Sequence, residues 1–432
     1  MISNWLAAAL ARRNIHYGWV MVAATFFAAL VSAGTVGAPG VFIAPLQQEF
    51  GWSTAEISSA LSIRFMLFGL MAPFAAALLN RYGLRNVTLA AQLIVVSALV
   101  LSLGMTELWQ LILLWGVVIG IGTGMTALVL GATIAARWFV ARRGLVVGIL
   151  SASVATGQLL FLPLLASLTD RFGWRIGLSF ICVLLAISAV VVFMVLRDRP
   201  SDLGLRPYGD NGTQAEPLPA PSTAPVMAAA LGTLRDASKS GVFWVLFATF
   251  FVCGASTNGL VQVHLIPMCL DYGIPQVEAA SLLAAMGIFD FFGTIGSGWL
   301  SDRFDNRFLL FWYYGLRGLS LVALPFTDFS FYGLSLFAMF YGLDWIATVP
   351  PTVRLTAQRF GPERANLVFG WIFAGHQIGA AAAAFGAGLS RTLLASYLPA
   401  FFAAGALCLI ASAMVLTLSR QPKPVLAPQP AE

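Results

Sequence analysis

Charged side chains are scarce in this 432-residue sequence: Asp, Glu, Lys and Arg make up 10% of it, while 59% of the residues are apolar. A soluble globular domain carries about 25% charged residues, so the composition excludes an ordinary water-soluble fold. Cysteine (4) and histidine (3) are also rare. The cysteines fall within apolar runs and show no paired spacing, so the sequence indicates neither a disulfide framework nor a metal cluster.

Nucleotide-binding motifs are absent as well. The glycine-rich stretch GVVIGIGTGMTALVLG (116–131) follows no strand, so it is not a phosphate-binding loop. Small residues of this kind let membrane helices approach closely. We therefore expect no cofactor and no enzymatic activity, and any transport has to be driven by a gradient.

Long apolar runs take the place of these features. Hydrocarbon about 30 Å thick needs roughly 20 apolar residues per helix, and lipid offers no partner for unpaired backbone groups. The sequence therefore predicts an all-α integral membrane protein with twelve transmembrane helices. The runs are 17–44, 54–79, 85–106, 107–136, 143–168, 174–196, 242–269, 276–300, 307–326, 330–357, 364–390 and 393–418.

Lys and Arg residues are distributed unevenly between the loops. All but five of the 24 fall on one side of the predicted membrane, the side that holds both termini. This is the positive-inside pattern, so we expect cytoplasmic termini in an inner or plasma membrane. The net charge of +6 is thus explained by topology, and no nucleic-acid partner is expected. The exceptions are Arg171, Arg175 and Arg391 in the opposite loops and Arg64 and Arg317 inside helices.

A polar stretch at 197–240 divides the chain. It contains RDRPSDLGLRPYGDNGTQAEPLPAPSTAP, whose prolines and scattered charges resist packing. We expect a cytoplasmic linker here, between six helices in 1–196 and six in 241–420, with a cytoplasmic tail at 421–432.

The two halves repeat one another. IAPLQQEFGWSTAEISSA (43–60) aligns with LIPMCLDYGIPQVEAASL (265–282). The same shift of 222 positions relates matching residues over some three hundred residues without gaps, which predicts an internal 6+6 duplication. The matching pairs include Pro45/Pro267, Glu49/Asp271, Gly51/Gly273, Glu56/Glu278, Arg85/Arg307, Arg137/Arg359 and Arg142/Arg364.

One loop carries a resemblance. GWLSDRFDNR (298–307) resembles the G-x-x-x-D-R-x-x-x-R signature of the major facilitator superfamily, and NRYGLR (80–85) is its first-half copy. The resemblance implies two six-helix bundles that rock around a central small-molecule site, functional as a monomer. It implies that helices 1, 4, 7 and 10 line the cavity and that 2, 5, 8 and 11 flank it. The loops act either as conformational latches or as topological anchors, through Asn80 (where the signature has Asp), Arg81, Arg85, Asp302, Arg303 and Arg307.

Two further segments resemble the monocarboxylate porter (oxalate/formate antiporter-like) family. They are NIHYGWVMV in the first helix and WFVARRGLVVGILSASVATG (138–157), which matches the family pattern [YW]-F-x-x-R-R-x-L-x-x-G. Helix 8 of such carriers often has Asp followed four residues later by an Arg that holds the substrate carboxylate. Here Asp290 is followed by Thr294, so the resemblance does not imply specificity for lactate or pyruvate.

Three charged residues fall inside helices of the second half only: Asp290, Arg317 and Asp344. Each costs about 2.5–3.5 kcal/mol on insertion scales. All three lie roughly 15–22 Å from the cytoplasmic helix ends. We expect one buried cluster in which Arg317 pairs with Asp344 and Asp290 shares the cation. Three roles are open for this cluster: a static structural ion pair, a site for proton coupling or substrate, or an Arg317 charge that faces lipid or headgroups.

Other polar residues inside helices are candidates for substrate binding. Arg64 either grips an anionic substrate through two parallel hydrogen bonds or extends to the outer headgroups. The remaining candidates either contact substrate or hydrogen-bond between helices, and the histidine can also titrate. They are Gln158, Asn258, Gln262, His376 and Gln377, with His264 as a further histidine.

Three functions are consistent with these features. The first is a proton-coupled carrier of a small organic anion, which the family resemblance favours. The second is a carrier of another solute, such as a siderophore or drug-like compound. GQLLFLPLL (157–165) does not match the G-x-x-x-G-P-x-x-G-G motif of drug antiporters, which weakens export. The third is a sensor that does not transport.

Overall fold

The computed structural model describes residues 2–126, 129–210, 226–327 and 329–419. The side chains of Asn80 and Gln158 lie outside the described part, although their backbones belong to described helices. Throughout the described ranges the chain is nearly all helix, and a single isolated bridge joins Phe139 to Tyr208. Two short helices, Ile2–Ala11 and Val226–Ala237, flank the long ones.

In the part of the chain that the structure describes, twelve long helical segments follow one another in the order that hydropathy predicts, the fourth of them in two pieces. Ten of them are long and apolar enough to cross a membrane, and Leu108–Gly124 is a shorter apolar helix. The prediction of an all-α membrane fold is confirmed. The first six are α1 Gly18–Phe50, α2 Thr54–Tyr82, α3 Leu84–Ser102, α4 Leu108–Gly124 continued by Val129–Trp138, α5 Arg143–Phe172 and α6 Trp174–Val195. The second six are α7 Gly241–Asp271, α8 Gln276–Arg303, α9 Asn306–Phe326, α10 Phe331–Phe360, α11 Pro362–Leu394 and α12 Leu398–Val415.

The duplication is visible in the backbone. Gly51 and Gly273, 222 residues apart, end α1 and α7 in the left-handed conformation, with φ of 71° and 79°. Gly173 and Ala395, again 222 apart, end α5 and α11 with φ of 85° and 51°. The second pair shares the positive φ only, since ψ is 160° at Gly173 and 23° at Ala395. The recurrence of positive φ at one register supports common descent of the two halves.

The arginines that the duplication pairs also make related contacts. The Arg85 backbone N–H donates to Asp198 Oδ1 (3.1 Å), just after α6. In the second half, Arg307 Nη1 donates to the Leu418 carbonyl (2.5 Å), just after α12. In each half, the arginine position therefore contacts the segment that follows the last helix, through the backbone N–H of Arg85 and through the side chain of Arg307.

The halves meet mainly along α2 and α11, which run antiparallel. At the end of the bundle away from the termini (the distal end), the Ala55 N–H donates to Thr392 Oγ1 (3.1 Å). Farther along, a Cβ on Gly69 would lie 2.4 Å from the Cβ of Gln377. Gln276 Nε2 adds a distal contact with the Val41 carbonyl (2.8 Å). Both of these hydrogen bonds between the halves lie at the distal end.

The helix Val226–Ala237 packs against both α2 and α11 at the opposite end of the bundle, where the helix Ile2–Ala11 and residues 196–210 also lie. Trp371 Nε1 donates to the Ala230 carbonyl (2.9 Å), and the Trp371 ring lies 6.2 Å from that of Phe74 in α2. This helix therefore connects the two halves from the side where they are joined in sequence.

Candidate functional site

The helix α10 is interrupted halfway. Its first segment ends at Asp344, and the second begins at Val349. Two prolines, Pro350 and Pro351, follow the break, and neither has an N–H to donate to the carbonyl four residues earlier. Unpaired backbone groups are costly where no water reaches them, so the break requires polar partners from neighbouring helices.

Arg317 of α9 supplies those partners on the carbonyl side. Its Nε donates to Asp344 Oδ2 at 2.6 Å, and its Nη2 donates to the backbone carbonyls of Asp344 (2.5 Å) and Trp345 (3.1 Å). The Arg317 residue is 1% exposed. The predicted contact between Arg317 and Asp344 is present, and the same guanidinium also caps the first segment of α10.

Helix α8 supplies the remaining partners. Asp290 Oδ1 accepts from the Ile346 N–H and from the Thr294 hydroxyl, both at 2.9 Å. Ser297 donates to the Ala347 carbonyl at 2.5 Å, the group left unpaired by Pro351. In the described part of the chain, Arg317 forms an ion pair with Asp344 alone. Asp290 is near enough to Arg317 for the two charges to interact, but its Oδ1 is bonded to the interrupted backbone of α10 and it forms no direct ion pair in this part of the chain. That Asp290 shares the cation stays a prediction.

Cys253 of α7 completes the cluster and was not foreseen. Arg317 Nη1 donates to Cys253 Sγ at 3.0 Å, and Thr348 Oγ1 lies 3.2 Å from the same sulfur. The ring of His376 lies beside this thiol and packs between Phe250 and Phe373. No sequence feature pointed to this role, because an isolated cysteine in an apolar run is usually a packing residue.

Two buried atoms in this cluster have open hydrogen-bonding capacity. Among the residues that the structure describes, Asp344 Oδ1 and His376 Nδ1 have no hydrogen-bond partner. Buried polar atoms are paired in most proteins, so such exceptions need a reason, and a catalytic or binding role is one of them. Here the two atoms are potential acceptors for a proton.

Close glycine contacts bring these helices together. A Cβ on Gly293 of α8 would lie 1.8 Å from the Leu343 carbonyl of α10, directly before Asp344. A Cβ on Gly254 of α7 would lie 1.8 Å from the His376 carbonyl of α11. Only glycine allows backbones this near, so the spacing of the cluster depends on these two positions.

We expect Gly293→Ala to destabilise the protein, although alanine in place of glycine favours an isolated helix by up to about 1 kcal/mol. The added methyl group would push α8 away from α10 and so separate Asp290 from the Ile346 N–H. The matched control is Gly296→Ala in the same helix, where a Cβ meets open space. Thermal stability of the purified variants measures the effect, and equal behaviour of the two would contradict the packing described.

Arg64 of α2 is 4% exposed, and its guanidinium carbon lies 5.2 Å from the centre of the Phe65 ring. The residue is buried inside the protein, which favours a role there over the alternative in which the side chain extends to the headgroups. Its helix packs closely on α4, where a Cβ on Gly120 would lie 3.0 Å from the Arg64 carbonyl. A buried cation therefore lies in α2, the helix that faces the other half.

The amide candidates lie near the contact between the halves. Asn258 falls within a π-helical turn of α7, Ala255–Val261, a distortion often found at functional sites. Gln262 follows this turn, next to Gly40 of α1, and Gln377 lies against Gly69 of α2. Gln262 Nε2 and Gln377 Oε1 are buried without a hydrogen-bond partner among the described residues. These two atoms are thus not used to join helices.

The remaining histidine and the loop residues make contacts inside their own half. The His264 Nε2 lies 2.8 Å from the Ala384 carbonyl, which makes it a packed interhelical residue. Asp302 forms an ion pair with Arg354, Arg303 lies over the Trp299 ring, Arg307 pairs with Asp305, and Arg81 lies over the Tyr82 ring. Among the described residues no ion pair joins the two halves. The latch role of these loops stays a prediction.

The fold of the described residues is shared with solved structures of membrane transporters. The nucleoside transporter NupG superimposes with a TM-score of 0.70 over 91% of this chain and 98% of its own, at 10% identity. The D-xylose-proton symporter gives 0.69 over 93% and 98%, at 14% identity. At these identities the likeness concerns the fold alone.

The family follows from the sequence match. The family model described as Major Facilitator Superfamily matches residues 25–384, and the chain belongs to this family. Human monocarboxylate transporter 7 is 26% identical over 76% of this chain and 71% of its own length. Bovine monocarboxylate transporter 13 is 26% identical over 93% and 89%. The uncharacterized MFS-type transporter YcxA of Bacillus subtilis (strain 168) is 24% identical over 90% and 91%. The chain is thus a multi-pass membrane transporter similar to monocarboxylate transporters.

Proposed function

We propose that this transporter carries a small, monocarboxylate-like organic anion by alternating access and couples its movement to protons. The observation that supports the proposal most is the Arg317–Asp344 pair at the interruption of α10, with Asp344 Oδ1 unpartnered among the described residues. Interrupted helices at mid-membrane form the sites of many secondary transporters. The similarity to proteins named monocarboxylate transporters supports the class of substrate.

The substrate site that we propose lies between α2, α7 and α11. Arg64 provides the positive charge, since a guanidinium binds a carboxylate through two parallel hydrogen bonds. Gln262 and Gln377 offer buried amide atoms, and His376 connects this region to Cys253 and Arg317. Asn258 of α7 belongs to the same proposed wall. Gln158 of α5, whose side chain lies outside the described part, stays a candidate from the sequence alone.

The test is uptake into proteoliposomes of monocarboxylates, dicarboxylates and iron chelates, with and without a pH gradient. We expect accumulation of a monocarboxylate that requires an inward proton gradient. In Arg64→Gln, uptake should fall about tenfold or more, because a hydrogen bond to a charged group contributes about 1.5–3 kcal/mol. Arg171→Gln, which alters an exposed arginine at the end of α5 with no proposed role in transport, is the matched control.

Each other outcome has a distinct meaning. Uptake of a neutral solute or a chelate that is insensitive to Arg64→Gln would assign the chain to another class of carrier. Absence of uptake for every solute, with folded protein in the vesicles, would favour a sensor that does not transport.

The orientation that we propose has both termini in the cytoplasm of an inner or plasma membrane. Single cysteines introduced at Ser201 and at Gln276 should react with impermeant reagents from opposite faces. The background is low, because Cys182, Cys253, Cys269 and Cys408 are all buried. Labelling of both positions from the same side would contradict the twelve-helix topology.

A further inference from the structure

A groove of about 590 Å³ runs between α9 and α10 on the outer surface of the helix bundle. Leu316 of α9 and Leu336 and Phe340 of α10 form its rim, and they are 55%, 43% and 62% exposed. Its inner end reaches Arg317 and Asp344, and its other end reaches Thr327 and the start of α10. The groove thus leads from the distal end of the bundle to the buried ion pair.

The length of the groove is comparable to one leaflet of a bilayer. Its lining runs along α10 from Gly333 to Asp344, which is roughly 16 Å at 1.5 Å per residue, and along α9 from Tyr313 to Thr327, which is roughly 21 Å. Half of a hydrocarbon core about 30 Å thick is roughly 15 Å, so a chain that enters at the distal end reaches the level of the ion pair. At the distal end, Phe326 and Tyr332 are 79% and 76% exposed, and aromatic side chains of this kind are enriched at the membrane interface.

The inner end of the groove is unsuited to an anionic substrate. Every nitrogen of the Arg317 guanidinium already donates within the protein, to Asp344, Trp345 and Cys253. The wall is mostly hydrocarbon, with Leu324 and Phe337 in addition to the rim residues. Apolar space at this depth is filled by hydrocarbon in preference to water.

We propose that this groove binds one acyl chain of a phospholipid from the distal leaflet, with the end of the chain against the Arg317–Asp344 pair. The bound chain shields the pair from the membrane side, so that protons and water reach Asp344 from the interior of the bundle only. The site is separate from the proposed substrate site, and its occupancy does not depend on which solute is carried.

The test uses the full chain in nanodiscs that contain phosphatidylcholine with a diazirine at the end of one acyl chain. After irradiation, mass spectrometry should locate adducts on groove residues within 313–344. Ala323→Trp and Ser320→Phe place bulk inside the groove and should reduce this labelling several-fold. Leu319→Trp is the matched control, because Leu319 is 57% exposed on α9 but does not line the groove.

Two results would overturn the proposal. The first is labelling in the groove no stronger than at Leu319, or unchanged in both filled variants, which would mean an ordinary lipid-facing surface. The second is displacement of the label by a water-soluble monocarboxylate, which would assign the groove to substrate. Size-exclusion elution verifies that each variant is folded, and two filled positions are used in case one fails.

Discussion

Arg317→Leu is expected to leave most of the protein misfolded. The substitution removes the partner of Asp344 Oδ2 and the donors to the Asp344 and Trp345 carbonyls, all within a buried region. Removal of one member of a buried ion pair typically costs about 3–5 kcal/mol, because the other charge is left uncompensated. A whole protein is stabilised by only about 5–15 kcal/mol, so the loss is a large part of the total.

The double variant Arg317→Leu with Asp344→Leu is expected to recover folding in part. Removal of both charges of a buried pair can be nearly neutral. Here the two backbone carbonyls that Arg317 caps still lose their donor, and an unsatisfied buried group costs about 1–3 kcal/mol. The double variant should therefore lie between the single variant and the parent protein.

Fluorescence-detected size exclusion and thermal midpoints in detergent measure this order. Arg303→Leu, at the exposed end of α8, is the control and should fold like the parent protein. A double variant no better folded than Arg317→Leu would show that charge compensation is not what Arg317 supplies. In that case the capping of α10 would be its main role.

The fold was predictable because its dominant cause is local. Each apolar run must be helical in lipid, whatever its neighbours, so hydropathy alone gives the helices and their order. The duplication added independent support, and the paired residues of positive φ, Gly51/Gly273 and Gly173/Ala395, follow the same register. What hydropathy missed is the interruption of α10, although Pro350 and Pro351 were a readable signal for it.

The charged cluster was predictable for one pair of residues and not for the others. Depth along α9 and α10 gave the contact between Arg317 and Asp344, since a buried arginine needs a carboxylate. The partner of Asp290 could not be read from depth, because it is a backbone N–H that becomes free only once α10 breaks. The role of Cys253 was not predicted, because the position of α7 depends on its close contact with α11 at Gly254 and His376, which are distant in sequence.

Asp344→Asn is expected to abolish accumulation driven by a proton gradient and to preserve solute exchange. Asp344 Oδ1 can take a proton while Oδ2 keeps its bond to Arg317, and asparagine resembles that protonated state but cannot release the proton. A gradient of one pH unit, about 1.4 kcal/mol, supports about tenfold accumulation for one proton per solute. The variant should reach a ratio of about one, while counterflow exchange confirms that it is folded.

The variant Asp290→Asn tests which of the two carboxylates, Asp290 or Asp344, carries the proton. An asparagine oxygen still accepts from the Ile346 N–H, so the α10 interruption stays capped, and we expect coupling to persist if Asp344 carries the proton. Accumulation ratios of the two variants, measured in the same proteoliposomes, decide between them. If coupling is lost in Asp290→Asn but kept in Asp344→Asn, the proton-binding residue is Asp290 of α8. Coupling kept in both would leave His376, whose Nδ1 has no partner in the described part of the chain, as the next residue to replace.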